Sequence, residues 1–146
     1  MNTLERSYWL NYKSQLSCKY TLYHERINHI LNDPDIDTEK EKFKIMILND
    51  LLRVAGLWGD IHVTRSVDMQ SDALKQRLIE AVRHFDDFTE DNDPYGEHDF
   101  GKLIVDGSDY FFKIDYYNKD KTCGSGDPSN PAITSRVMTI MKAEDR

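Results

Sequence analysis

"GKLIVDGSDYFFKIDYY", residues 101–117, decides the fold. Two β-rich runs flank Asp106-Gly107, a dipeptide that accepts the positive φ angles of a tight hairpin turn, so the chain doubles back at this point. In the second run Tyr110, Phe112, Ile114 and Tyr116 occupy alternate positions and share one face, as side chains of a pleated strand do. A lone hairpin with an apolar face is not stable in water and needs more strands, a helix, or both. The flanking sequence has to supply them.

On the C-terminal side, "TCGSGDPSNP" (122–131) reads as a loop and "AITSRVMTIMKA" (132–143) as a final apolar strand. Upstream, "SDALKQRLIEAVRHF" (71–85) sets Leu74, Leu78, Ala81, Val82 and Phe85 on one helical face. Before it, "IHVTRSV" (61–67) alternates Ile61, Val63, Arg65 and Val67 with His62, Thr64 and Ser66, the period of a strand. The first third of the chain has a helical period. Leu4, Tyr8, Tyr12, Leu16, Tyr20, Tyr23, Ile27, Ile30 and Leu31 make one stripe, broken at "NDPDID". Thr38 and Glu41 form a capping box that opens a second helix. Phe43, Met46, Ile47, Leu51 and Val54 are its apolar face and Gly56 its stop. The expected fold class is α+β: a four-stranded, mostly antiparallel sheet covered by helix 70–85, with an N-terminal helical pair. Residues 1–56 form that pair, packed on a core built by residues 57–146, in one compact unit.

At 146 residues, with 39% apolar content, the chain can bury a real core. Its formal charge of −7 has a local origin. "HFDDFTEDNDPYGEHDFG" (84–101) holds Asp86, Asp87, Glu90, Asp91, Asp93, Glu97 and Asp99 with no lysine or arginine. Without those seven acids, the 19 that remain equal the 19 Lys and Arg. Such a chain lacks the basic surplus that direct nucleic-acid binding needs, and its acidic patch attracts cations or basic protein surfaces instead. Cys18 and Cys123 have no CxxC spacing, the N-terminus has no signal-peptide core, and no apolar run reaches membrane-spanning length, so a reduced cytoplasmic setting is expected.

Three blocks in order, "HFDDFTEDNDPYGEHDFG", "FFKIDYYNKD" and "DPSNPAITSRVMTIMKAEDR", resemble a small bacterial family known only as a domain of unknown function. The resemblance covers roughly residues 57–146 and implies a common fold, with no established activity, cofactor or catalytic residue. It also implies a genomic setting on plasmids, integrative elements and related mobile DNA, often near anti-restriction genes. The N-terminal sixty residues do not share the pattern and look like an addition specific to this chain.

Three chemical readings compete for the acidic segment. As a calcium loop, Asp91, Asp93 and Gly96 fit, but Lys102 stands where a bidentate Glu is required, so the EF-hand template fails. A metal-dependent hydrolase or nuclease would centre on His98 with Glu97 and Asp99, against the plainer reading that His98 bonds the loop backbone. "HDFG" (98–101) lacks the other kinase signatures, and no GxSxG or phosphate-cradling loop is present; no cofactor is expected. The leading reading is a non-enzymatic acidic protein of a phage or mobile element, a DNA mimic that inhibits a nucleic-acid-binding defence protein of the CRISPR or restriction type. Its partner-binding residues are then Asp86, Asp87, Glu90, Asp91, Asp93, Tyr95, Glu97 and Asp99, with Tyr95 at the loop tip and Phe88 and Phe100 plugged into the core. A structural reading has Asp86, Asp93 and Asp99 brace the loop or pair with Arg83, Arg136 or Lys113. The Tyr-rich first helix, with Trp9 beside Tyr12, Tyr20 and Tyr23, could also dock a second copy.

Overall fold

The structure is a computed structural model that describes residues 38–145, with side chains from residue 42 onward. The Tyr-rich first helix and the homodimer surface drawn on it lie outside the described residues, and the Thr38/Glu41 capping box rests on side chains outside the described ones. Helix α1 spans Thr38–Ala55. It stops at Gly56, whose φ of 68° lets its N–H return to the Leu52 carbonyl at 2.9 Å. Strand β1 (Asp60–Val63) follows, then a single helical turn α2 (Arg65–Asp68) and helix α3 (Asp72–His84). The Ser71 side chain caps α3 by accepting from the Leu74 N–H at 3.1 Å. Strands β2 (Phe100–Val105), β3 (Ser108–Tyr117) and β4 (Ser135–Lys142) complete the element order, before a short 3-10 turn at Ala143–Asp145.

The hairpin forms where the sequence places it. Asp106 (φ 51°) and Gly107 (φ 79°) are both left-handed, the geometry whose twist matches the strands it joins. Sheet order is β1-β4-β3-β2. β2–β3 and β3–β4 are antiparallel, but β1 runs parallel to β4, so the sheet is mixed rather than mostly antiparallel. The reason is connectivity: β1 has no tight turn to any partner, and periodicity carries no information on strand direction.

The strand expected over 61–67 is also shorter. Thr64 N–H still bonds the Ile140 carbonyl at 3.0 Å, after which the chain turns helical and delivers Val67 to the core at 1% exposure. Residues 63 and 67 are four apart, a spacing that both the strand and the helix period return to one side. The alternation therefore reads as strand when the chain has already turned.

Register sets one sheet face. Tyr110 pairs with Leu103, Phe112 with Ile140 and Ile114 with Met138, and all six are buried. Leu78 and Val82 of α3 and Leu52 of α1 close this core. Gly101 sits opposite Phe112 because a Cβ there would lie 2.4 Å from that ring and 2.7 Å from Phe85. Helix α1 is buried on the positions Ile47, Leu48, Leu51 and Leu52. Phe43, Met46 and Val54, assigned to its buried face, are only half-buried, while the polar Asn49, Asp50 and Arg53 are inside.

Candidate functional site

The acidic segment, residues 85–99, leaves the C-terminus of α3 and returns to β2. Two of its own side chains fold it. Asn92 Oδ1 accepts from the Thr89 N–H and its Nδ2 donates to the Asp87 carbonyl, both at 2.8 Å. Asp93 Oδ1 accepts from the N–H groups of Glu97 (2.9 Å) and His98 (3.2 Å), and its own N–H donates to the Thr89 carbonyl at 2.8 Å. Short Asx side chains substitute for backbone partners in this way wherever a turn leaves donors unpaired. Asp93 is accordingly 8% exposed.

Helix α1 grips the segment at both ends. Arg53 Nη1 donates to the carbonyls of Val82 (3.0 Å), Arg83 (3.1 Å) and Phe85 (2.7 Å), which satisfies the last carbonyls of α3 and places a cation at the negative end of its dipole. Arg53 Nη2 donates to Asp50 Oδ1 at 3.1 Å, and the same oxygen lies 3.0 Å from His98 Nδ1. Asn49 Nδ2 donates to the Glu97 carbonyl (2.9 Å) and to Tyr116 Oη (2.8 Å), while its Oδ1 accepts from Arg136 Nε at 2.7 Å. Tyr116 Oη donates in turn to Glu97 Oε2 at 3.0 Å.

His98 is held in the left-handed region (φ 57°), a conformation that non-glycine residues adopt at a cost. Its ring stacks flat on Phe88, with centroids 3.8 Å apart and planes 5° off parallel. Nδ1 faces Asp50 and Nε2 faces Asp93 Oδ2 at 3.9 Å, so both ring nitrogens point at protein carboxylates. The expectation that the His98 side chain bonds loop backbone is thus corrected: its partner is a carboxylate from another helix. Glu97, assigned with it to a metal, turns instead to Tyr116. Among the described residues no group of three or more His, Cys, Asp or Glu is arranged to hold a metal ion.

The acids separate into two populations. Asp86, Asp87, Glu90 and Asp91 are exposed, and their carboxylates make no hydrogen bond or ion pair among the described residues. Asp93 is buried, and Glu97 and Asp99 are half-buried. Burial holds the Asp99 carboxyl above its ordinary value, helped by the charges of Glu97, Asp93 and Asp115. Burial likewise raises the Tyr116 phenol, which therefore stays protonated as the donor to Glu97. Elsewhere several acids have ion partners: the exposed Asp60 with Lys121, Asp106 with Arg77 and Asp109 with Lys102, and the half-buried Asp115 with Lys113; exposed Asp120 has none among the described residues.

Of the aromatics, Tyr95 is 69% exposed at the tip, as its Pro94-Tyr95-Gly96 setting implies. Phe88 packs on the core through Phe85 (5.0 Å). Phe100 does not reach the core. It lies on the opposite sheet face, half-buried and stacked on Phe111 at 5.2 Å, because β2 alternation assigns Gly101 and Leu103 to the inner side. Of the three proposed braces only the Asp93 side chain acts as one. Asp86 is exposed, and Asp99 contributes its backbone carbonyl, which accepts from the Ile114 N–H at 2.8 Å.

Residues 63–145, more than half of the chain, match the family described as "Protein of unknown function (DUF3768)". The chain belongs to the DUF3768 family. Searches of curated proteins and of solved structures gave no match. The DUF3768 match takes in α2, α3, the acidic segment and strands β2 to β4, and it begins downstream of α1. Asn49, Asp50 and Arg53, which anchor the segment, are therefore upstream of the matched residues. The sequence reading missed all three, having treated α1 as an apolar stripe alone. The available signal was "NDLLR" (49–53), three polar residues set among leucines at positions that a helix brings to one face.

Proposed function

We propose that this DUF3768 protein is a non-enzymatic binding protein that presents the acidic loop to a basic, nucleic-acid-binding protein surface and so blocks access of nucleic acid. One observation supports the reading above the others: four exposed carboxylates, Asp86, Asp87, Glu90 and Asp91, have no ion partner among the described residues and stand on a loop braced from within. Charges placed this way on a fixed backbone act together, as phosphates spaced ~1.7 Å along a duplex axis do. Exposed and clustered, they also keep a long-range field that steers a cationic partner. Asp93 is buried and Glu97 and Asp99 are half-buried, so the binding set in this reading contracts to the four exposed acids, with the exposed Tyr95 as an aromatic anchor. The target class, a defence protein of the restriction or CRISPR type, is carried by the mobile-DNA setting that the family resemblance implies and not by the geometry.

The test is a displacement assay. Labelled duplex DNA is held by an oligolysine peptide at low salt, and the full-length protein is titrated in. Release of DNA by the wild-type chain, lost in the fourfold variant Asp86→Lys, Asp87→Lys, Glu90→Lys, Asp91→Lys with an unchanged circular-dichroism spectrum, is the expected result. Equal release by both proteins would remove the loop from the function.

A further inference from the structure

We infer that helix α1 is the template on which the acidic loop is folded, with Asn49, Asp50 and Arg53 as its positioning residues, and that the working unit of this chain begins upstream of the family match. The consequence for binding rests on the proposed reading of the loop; the positioning itself does not.

The three residues divide the work along the loop. Arg53 ties down the entrance through the carbonyls of Val82, Arg83 and Phe85. Asn49 ties down the exit through the Glu97 carbonyl, and Asp50 holds the next residue through the His98 ring. Positions 49, 50 and 53 fall on one face of a helix, so a single rigid element sets the distance between the two ends. All three are nearly inaccessible, at 0%, 3% and 4% exposure. Polar and charged groups at such depth are costly unless paired, and here each of the three bonds the loop or its flanks, Asn49 bonding Tyr116 and Arg136 of the sheet as well. Asp50 accounts for the least favourable feature of the loop, the left-handed His98. Its carboxylate accepts from the ring while Phe88 stacks beneath, and together these contacts hold the residue where Asp93 can reach two successive N–H groups. None of the three touches the exposed acids, so their effect on binding runs through loop geometry alone.

The experiment uses full-length Asp50→Ala and Asp50→Asn, hydrogen exchange of backbone amides, and the oligolysine–DNA displacement assay. In Asp50→Ala the amides of residues 89–98 are expected to exchange about tenfold faster, while those of Phe112 and Ile114 in the central strand keep their protection. Asp50→Asn, which still accepts from His98, should give a smaller increase. Displacement should need several-fold more protein although every surface acid is intact. Loop exchange that stays at the wild-type rate, or that rises only in step with the central strand, overturns the inference. Faster loop exchange with unchanged displacement upholds the positioning role and overturns the loop as the binding surface. Should Asp50→Ala fail to fold, His98→Asn reads the same contact from the loop side, because asparagine tolerates the left-handed backbone and lacks the ring. The same local rise in exchange is expected there, and its absence counts against the inference equally.

Discussion

Two long loops flank the sheet, and they are folded by the same chemistry. Residues 85–99 connect α3 to β2 and are braced by Asn92 and Asp93. Residues 118–134 connect β3 to β4 and are braced by Asn118, Asp127 and Asn130, whose side chains accept from the N–H groups of Thr122, Ser129 and Ala132. Their charge is different. The second loop sets Lys119 and Lys121 against Asp120 and Asp127, and Lys121 pairs with Asp60. The first holds seven acids and no lysine or arginine. An ordered loop of this length therefore needs two or three Asx braces and no excess charge. The four exposed acids of 85–99 are surplus to such bracing, and that surplus is what motivates the proposal that they meet a partner.

The comparison can be broken at its supports. Arg53→Met should have the largest effect, about 3–5 kcal/mol in urea denaturation, because it removes the buried ion pair with Asp50 and takes the guanidinium donor from the α3 carbonyls. A loss under about 1 kcal/mol would show that the loop entrance is held by something else. Asp93→Ala should cost roughly 1–3 kcal/mol, since two N–H groups lose their acceptor in a buried site. Asp127→Ala, its counterpart in the second loop, should cost about 1 kcal/mol, being less buried. Equal losses would show that depth does not separate the two braces.

A pH dependence sharpens the boundary between folding acids and surface acids. The Asp99 carboxyl is held above its ordinary value of 3.8 by burial and then by its acidic neighbours. The folded state thus binds that proton more tightly than the unfolded chain, a stabilising contribution present at low pH and lost as pH rises through the folded value. Asp99→Asn should melt higher than wild type near pH ~7, with the gain shrinking toward pH ~4 as the wild-type carboxyl becomes neutral. A gain of equal size at both pH values would contradict the burial argument.

The sheet and its covering helix were legible because their signals are local. Asp106-Gly107 names the turn, and alternation from Tyr110 to Tyr116 names the buried face. The direction of β1 was not legible, since parallel pairing to β4 depends on elements some seventy residues apart. Within the site, the sequence located the acidic loop but not its division of labour. Asp93 and Asp91 are the same residue type two positions apart, and only the fold makes one a buried brace and the other a surface charge. The anchor was hidden for a similar reason. Asn49, Asp50 and Arg53 acquire their roles from partners 29 to 87 residues downstream, which no local window contains.

The central claim is that Asp86, Asp87, Glu90 and Asp91 do nothing for the fold, so its most direct test is a variant expected to change nothing. The measurement is the urea unfolding free energy of the fourfold neutral chain, Asp86→Asn, Asp87→Asn, Glu90→Gln, Asp91→Asn, against wild type at the same ionic strength. Surface substitutions away from structural features shift stability by no more than about 0.5 kcal/mol each, and here relief of mutual repulsion should make any net change favourable. The account predicts a stability equal to wild type or slightly above it. A loss of more than about 1 kcal/mol, the scale of a brace such as Asp127, would contradict it and return these acids to the fold.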